Sequence, residues 1–127
     1  MSNGPVPGAV LTREIELGPE HTITIMGEDA RVLASPWMLL FMEQAARDLV
    51  LPALEAEEDT VGVGFQFEHV GTAKIGDRIT VRAELLSSAR NRLTFAVSVM
   101  RGERVVGRGI HVRARVNKRW FRRVAAR

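Results

Sequence analysis

Side chains able to do chemistry are few in this chain, and they are scattered. The 127 residues include no cysteine, which removes thiol nucleophiles, thiolate metal sites and disulfide frameworks together and fits a reducing cytoplasm. Three histidines, His21, His69 and His111, lie far apart with no HxxxH spacing, so neither a zinc site nor any other metal is expected. His69 closes a run in which Val61, Val63, Phe65 and Phe67 alternate with Gly62, Gly64, Gln66 and Glu68. That phase turns its imidazole inward. An inward imidazole is a candidate general base, or else a core histidine satisfied by a backbone carbonyl. Glu43 has a similar double reading. It stands four residues before Arg47 on the polar side of an apolar stretch, as a carboxylate for catalysis or as half of an i,i+4 ion pair. Ser35 precedes Pro36, a combination that caps and starts helices. A hydroxyl there also lies near free N–H groups and a positive dipole end, which suit a developing oxyanion. Gly62-Val63-Gly64 lacks the remainder of a phosphate loop. His111 shares a face with Arg113 and Arg115, either a solvated outer face or a holder of phosphates.

The elements that must position these groups follow from periodicity. Leu11, Arg13, Ile15 and Leu17 are in phase against Glu14 and Glu16, which predicts a strand, and Thr22 to Met26 predicts a second strand or its continuation. Trp37 to Leu51 runs free of Gly and Pro until Pro52, a helix whose first turns are apolar all round. Glu57, Glu58 and Asp59 mark a loop. Four strands follow, carried by Val61 to His69, then Ile79, Val81, Ala83 and Leu85, then Leu93, Phe95, Val97 and Val99. The last carries Val106, Ile110, Val112, Ala114 and Val116 on one face and Gly107, Gly109, His111, Arg113 and Arg115 on the other. Gly76-Asp77 and Arg101-Gly102 are turn signals. These are antiparallel strands that each hide one face. One helix apolar on every side needs a sheet curled around it, and about five strands leave edges and apolar surface for a second subunit.

Length and charge set the outer bounds. The chain is one domain at ~100–200 residues per domain. No apolar run approaches the ~18 residues of a membrane span, and no signal peptide is expected from Met1 to Ala9. A flexible leader is predicted for residues 1–10, a folded domain for 11–121 and a basic tail for 122–127. The formal charge is +3, yet Lys118, Arg119, Arg122, Arg123 and Arg127 supply five of the eighteen cations. The other thirteen stand against fifteen acids, a balance of −2. The basic end could meet anionic phosphates, but it reads first as a solvated, partly frayed terminus. A slightly acidic domain is a poor partner for nucleic acid.

The stretch Val32-Leu33-Ala34-Ser35-Pro36 leading to Glu43 resembles the hotdog-fold acyl-CoA thioesterases, in the branch that includes fluoroacetyl-CoA thioesterase. Val61-Gly62-Val63-Gly64 through Glu68-His69 is similar to that branch's Gly-to-His strand. Gly107-Arg108-Gly109-Ile110-His111-Val112-Arg113 and Val116-Asn117-Lys118 resemble its closing strand. The likeness spans roughly Leu11 to Phe121. It implies an α+β hotdog fold, an antiparallel sheet of about five strands wrapped around one long central helix. It also implies hydrolysis of an acyl-CoA thioester, with no metal or organic cofactor and with coenzyme A only as part of the substrate. Ser35, Glu43 and His69 then form the catalytic set, Gly62 lines the thioester pocket, and His111 and Arg113 stand as substrate-binding candidates. The sequence departs from the branch in having Ser where Thr is frequent and Val70 to Lys74 in place of a Pro-containing loop. Met26 to Leu33 contains no aromatic residue, which argues against fluoroacetyl as the acyl group. Two other readings use the same fold, a non-catalytic acyl-CoA-binding or sensing protein and an enoyl-CoA hydratase.

Helix geometry adds a constraint. Eight residues of helix rise ~12 Å, so Ser35 and Glu43 of one chain cannot share a hydrogen bond. The three groups then meet across a subunit boundary or are joined through His69 and water; the first is expected, a pocket shared between two protomers of a homodimer, or of a dimer of dimers.

Overall fold

A computed structural model describes residues 4–127. Five antiparallel strands form one sheet in the order β1-β3-β4-β5-β2. They are β1 (Val10–Glu16), β2 (Glu58–His69), β3 (Arg78–Ala89), β4 (Arg92–Arg101) and β5 (Arg104–Asn117). One long helix, α1 (Ser35–Val50), lies in the sheet's concave side, and a short helix, α2 (Lys118–Ala125), ends the chain. The core is where α1 meets the sheet. Met38, Phe41, Met42, Ala45, Ala46 and Val50 of α1 are buried against Ile79, Val81, Ala83 and Leu85 of β3 and Leu93, Phe95, Val97 and Val99 of β4. The alternation in β3 and β4 is the one their sequence predicts. The turns at Gly76 and Gly102 are also as expected, and both glycines have positive φ, 86° and 59°, which L side chains adopt at a cost. Leu40, in the stretch expected to be apolar all round, stays 37% exposed.

Several local expectations change. Ala34, not Ser35, is the cap of α1, with extended backbone (φ −76°, ψ 137°). Ser35 is already the first helical residue, and its hydroxyl makes no capping bond. Thr22 to Met26 forms no strand. Thr22 makes one bridge to Leu33 and Gly27 turns the chain at φ 100°, leaving Ile25 exposed. Glu58 and Asp59 begin β2 rather than lying in a loop. The expected leader is held at its end, where the Gly8 N–H donates to the Leu85 carbonyl at 2.8 Å. Residues 1–3 of that segment lie outside the described residues. The basic end is a capped helix, with Asn117 Oδ1 accepting from the Trp120 N–H at 3.0 Å. The predicted boundary at 121 thus falls inside α2.

Two corrections matter for chemistry. In β2, Gly62 pairs with Arg113 while Gly64 pairs with Val112, so Val63 is an inserted bulge residue. The single phase predicted from Val61 to His69 therefore breaks. Thr60 and Gly62 face inward before the bulge, and Phe65, Phe67 and His69 face inward after it. In β5 the predicted outer face is the inner one. His111 and Arg113 are buried, and Gly107 lies so close to α1 that a Cβ there would meet Met38 Sδ at 2.6 Å. The helix needs that clearance, so the glycine side of the strand turns in and Ile110 turns out.

Candidate active site

Ser35 and His69 meet. Ser35 Oγ lies 2.7 Å from His69 Nδ1, and both side chains are half-buried. The helix start delivers the hydroxyl, and the inward phase of β2 after the bulge delivers the imidazole. Freed from capping, the Ser35 hydroxyl stands in the first turn of α1, where backbone N–H groups have no intrahelical acceptor. This is a hydroxyl–imidazole pair beside a positive helix end, an arrangement suited to nucleophilic attack and oxyanion stabilisation.

Glu43 is elsewhere, two turns along α1. Its expected partner Arg47 is engaged by Asp59 through two bonds, 2.9 and 2.6 Å. That guanidinium holds the Asp59 carboxyl below its usual range. Glu43 instead faces Arg113 (Nη1 to Oε2, 3.5 Å) and His111 (Nε2 to Oε2, 3.9 Å). Its carboxylate rests over Gly62, where any Cβ would collide with Oε2. Glycine here is a packing requirement of the carboxylate's position. Glu43, Gln44, Arg47, Thr60, Gly62 and Arg113 line an open depression of about 250 Å³.

Behind Glu43 the polar groups are fully engaged. Arg113 donates from Nε to Thr60 Oγ1 at 2.7 Å and from Nη2 to the Thr60 carbonyl at 2.8 Å. Its Nη1 lies 3.1 Å from His111 Nε2. The Gly64 carbonyl is 2.9 Å from His111 Nδ1 and can only accept, so Nδ1 carries the proton and Nε2 accepts from Arg113. Burial lowers the His111 pKa first, and the Arg113 charge lowers it further, against the Gly64 bond and Glu43. The ring is therefore neutral at neutral pH, and it stacks on Phe65 with centroids 4.4 Å apart. Burial also lowers the Arg113 pKa, though a guanidinium keeps its proton in proteins.

His111 and Arg113 are thus not the solvent-facing basic surface that would hold phosphates. With their donors committed inside the sheet, they stand behind the carboxylate. Thr60, which anchors Arg113 by both its hydroxyl and its carbonyl, is a residue that sequence reasoning missed. The available signal was the pair of glycines flanking Val63, a bulge mark that re-phases Thr60 inward. Within one chain, the structure joins Ser35 to His69 and joins Glu43 to Gly62, Arg113 and His111, but it does not join the two sets.

One helix cradled by a five-stranded antiparallel sheet, with these groups on its concave side, is the hotdog fold of thioester hydrolases. The chain belongs to the fluoroacetyl-CoA-specific thioesterase family, whose model matches residues 17–119. The fluoroacetyl-CoA thioesterase of Streptantibioticus cattleyicolor is 29% identical over 128 residues, covering 95% of this chain and 92% of that protein. A solved structure of the fluoroacetyl-CoA thioesterase is similar with a TM-score of 0.89 at 27% identity, covering 98% of this chain and 97% of the other. A thioesterase superfamily member from Thermus thermophilus is similar at TM-score 0.83 and 27% identity, over 95% and 93% of the two chains. A hot-dog-like protein from Thermanaerovibrio acidaminovorans, 18% identical at TM-score 0.86 over 94% and 89%, shares the fold. Among the described residues no helix is long and apolar enough to cross a membrane.

Proposed function

We propose that this thioesterase hydrolyses an acyl-CoA thioester at a site built from two protomers, with Ser35 and His69 of one facing Glu43 and Gly62 of the other. The observation that carries this reading is the position of the two half-sites at opposite ends of one unpaired sheet edge. β2 is an edge strand of the sheet, and an edge is a template for pairing with another strand. Antiparallel pairing of β2 with its own copy about a two-fold axis at Gln66 pairs the inward Phe67 with the inward Phe65 and, across the bulge at Val63, sets His69 beside Gly62. Both residues face inward, so the imidazole of one protomer reaches the carboxylate side of the other. This supports a homodimer, and a dimer of dimers adds nothing the chemistry needs.

In this scheme His69 takes the proton of the Ser35 hydroxyl as Oγ attacks the thioester carbonyl. The tetrahedral oxyanion forms near the start of α1. Its collapse breaks the C–S bond, and the thiol leaves with the proton returned by His69. Water then attacks the Ser35 ester, positioned by Glu43, and releases the free acid. Buried Arg113 fixes the carboxylate from behind. Water is the second substrate, and no metal or organic cofactor takes part. The 2.7 Å contact between Ser35 and His69 favours hydroxyl attack over direct attack by water.

Family membership speaks for hydrolysis over a binding module or an enoyl-CoA hydratase. The stretch Met26 to Leu33, which holds no aromatic residue, argues for an acyl group other than fluoroacetyl. The cysteine-free composition is compatible with a reducing cytoplasm. The test is free-thiol release across short, branched, aromatic and long acyl-CoAs. We expect turnover of at least one class, abolished in His69→Ala. A wild-type protein that releases no thiol from any of them ends the hydrolase reading. Ser35→Ala retaining most of the activity would transfer the attack to water.

A further inference from the structure

The cations of this chain divide into two groups. Most of those of the domain are matched: Arg13, Arg47, Arg78, Arg101 and Arg115 each sit on a carboxylate, while Arg90, Arg92 and Arg104, at the turns flanking β4, form no ion pair among the described residues. Those of α2 are not. Lys118, Arg119, Arg122 and Arg123 form no ion pair among the described residues. At 100° per residue they occupy one half of the helix, and Trp120, Phe121 and Val124 occupy the other. The helix is firmly placed, with Asn117 capping its first turn and the Lys118 N–H donating to the Glu57 carbonyl at 2.8 Å. An anchored cluster of unmatched cations attracts anions.

Its position narrows the choice of anion. A depression of about 250 Å³ at the foot of α2 is lined by Asp59, Thr60, Val61, Lys118, Phe121 and Arg122, among others. Thr60 and Val61 also line the depression that holds Glu43. One surface therefore runs from the carboxylate, over the start of β2, to Lys118 and Arg122. The acid on this path, Asp59, is neutralised by Arg47. Phe121, 38% exposed, adds a ring face beside the cations.

We infer that Lys118 and Arg122 bind the phosphates of the coenzyme A portion of the substrate while the thioester lies at Glu43. The inference rests on the hydrolase reading above. Coenzyme A carries a pyrophosphate and a 3′-phosphate at the end remote from its sulfur, linked to an adenine that can lie on Phe121. Cation–phosphate contacts of this kind are charge-assisted and sensitive to salt. His111 and Arg113, buried and engaged, cannot fill this role.

The test compares one acyl group on two carriers, coenzyme A and phosphate-free pantetheine. In the Lys118→Ala/Arg122→Ala double variant, KM for the acyl-CoA should rise about tenfold, and KM for the acyl-pantetheine less than about twofold. Raised salt should weaken acyl-CoA use by the wild type and much less that by the variant. An equal change with both carriers, or no change with either, overturns the inference. A variant that loses activity only toward an acyl-acyl carrier protein shows a protein-docking surface and overturns it as well. Titration calorimetry with free coenzyme A provides a second readout. Weaker binding by the double variant supports the phosphate site even if no acyl-CoA tested is hydrolysed, and unchanged binding refutes it even if hydrolysis is normal.

Discussion

The two ends of β2 solve opposite problems. At the His69 end a single contact, Ser35 Oγ to His69 Nδ1, joins two half-buried side chains. Among the described residues it is the one side-chain hydrogen bond that either group makes, as suits groups that must exchange a proton with substrate. At the Gly62 end Arg113, His111, Thr60 and the Gly64 carbonyl form a buried network in which each donor has its acceptor. Only Glu43 emerges from it, its side chain 41% exposed. A proton-transferring pair can be left loosely held, because substrate completes its geometry. A carboxylate over a buried guanidinium cannot, because an unmatched buried charge is costly. The bulge at Val63 separates the two regimes on one strand.

The largest effect should come from removing the reacting group at either end. His69→Ala and Glu43→Gln should each lower kcat about 10²–10⁴-fold. Mixing the two inactive variants then examines whether the ends belong to one site. A heterodimer carrying one of each has one intact and one doubly damaged site. Random reassociation should therefore restore about a quarter of wild-type activity if the site is shared across a two-fold axis. No recovery on mixing, after exchange of subunits is verified by mass, would place both ends in separate functions.

Gly62→Ala tests the network end without touching a charge. A methyl group directed at Glu43 Oε2 must displace the carboxylate. We expect kcat to fall about 10²-fold, with the Ser35–His69 pair unaffected in its reaction with an acylating probe. Wild-type turnover in this variant would show that the carboxylate's placement is irrelevant.

Thr60→Val tests the anchor. It removes the hydroxyl that accepts from Arg113 Nε and leaves a buried charged donor unmatched. The expected cost is about 1–3 kcal/mol, read from chemical denaturation. Ser35→Ala, at the looser end, should change stability by less than about 0.5 kcal/mol. Equal costs at the two ends would erase the distinction between them.

The smallest effect is a dependence of stability on pH. His111 has a folded-state pKa below its ordinary value, so the unfolded chain takes up its proton first as pH falls. Its contribution is complete above about pH 6.5 and is lost progressively below that. Glu58, Asp59 and Asp77 are also lowered, by Arg115, by Arg47 and by the Lys74 backbone N–H respectively. Their losses begin only in the carboxylate range. Thermal melts between pH 7 and 5 should show Tm decreasing, with a shallower slope in His111→Gln. An unchanged slope would mean that His111 is not held neutral.

Much of the fold could be read from the residues. The alternation in β3 and β4 and the Ser-Pro start of a long helix each follow from a local period or a local rule. Failures occurred where a contact from outside the segment decided the outcome. Ser-Pro predicts a cap at Ser35 beside any catalytic role, but Ala34 supplies the cap and the hydroxyl turns to His69, 34 residues away. Alternation puts His111 and Arg113 opposite the valines of β5, on a face that is either solvated or a holder of phosphates. The approach of Met38 to Gly107 reverses that face. Thr60 is hidden from a period-two reading, which carries straight through a bulge.

The sequence alone specified the residue types able to act, the order of the elements and the eight-residue spacing that keeps Ser35 from Glu43. These depend on rise per residue and side-chain period, which are properties of the chain's own backbone. Tertiary structure decided which face of β5 is buried, that Glu43 faces Arg113 rather than Arg47, and that the basic end is a helix set against the sheet. Those outcomes are settled by volume and charge arriving from distant segments, a methionine against a glycine and a carboxylate over a guanidinium. No window of local sequence contains both partners.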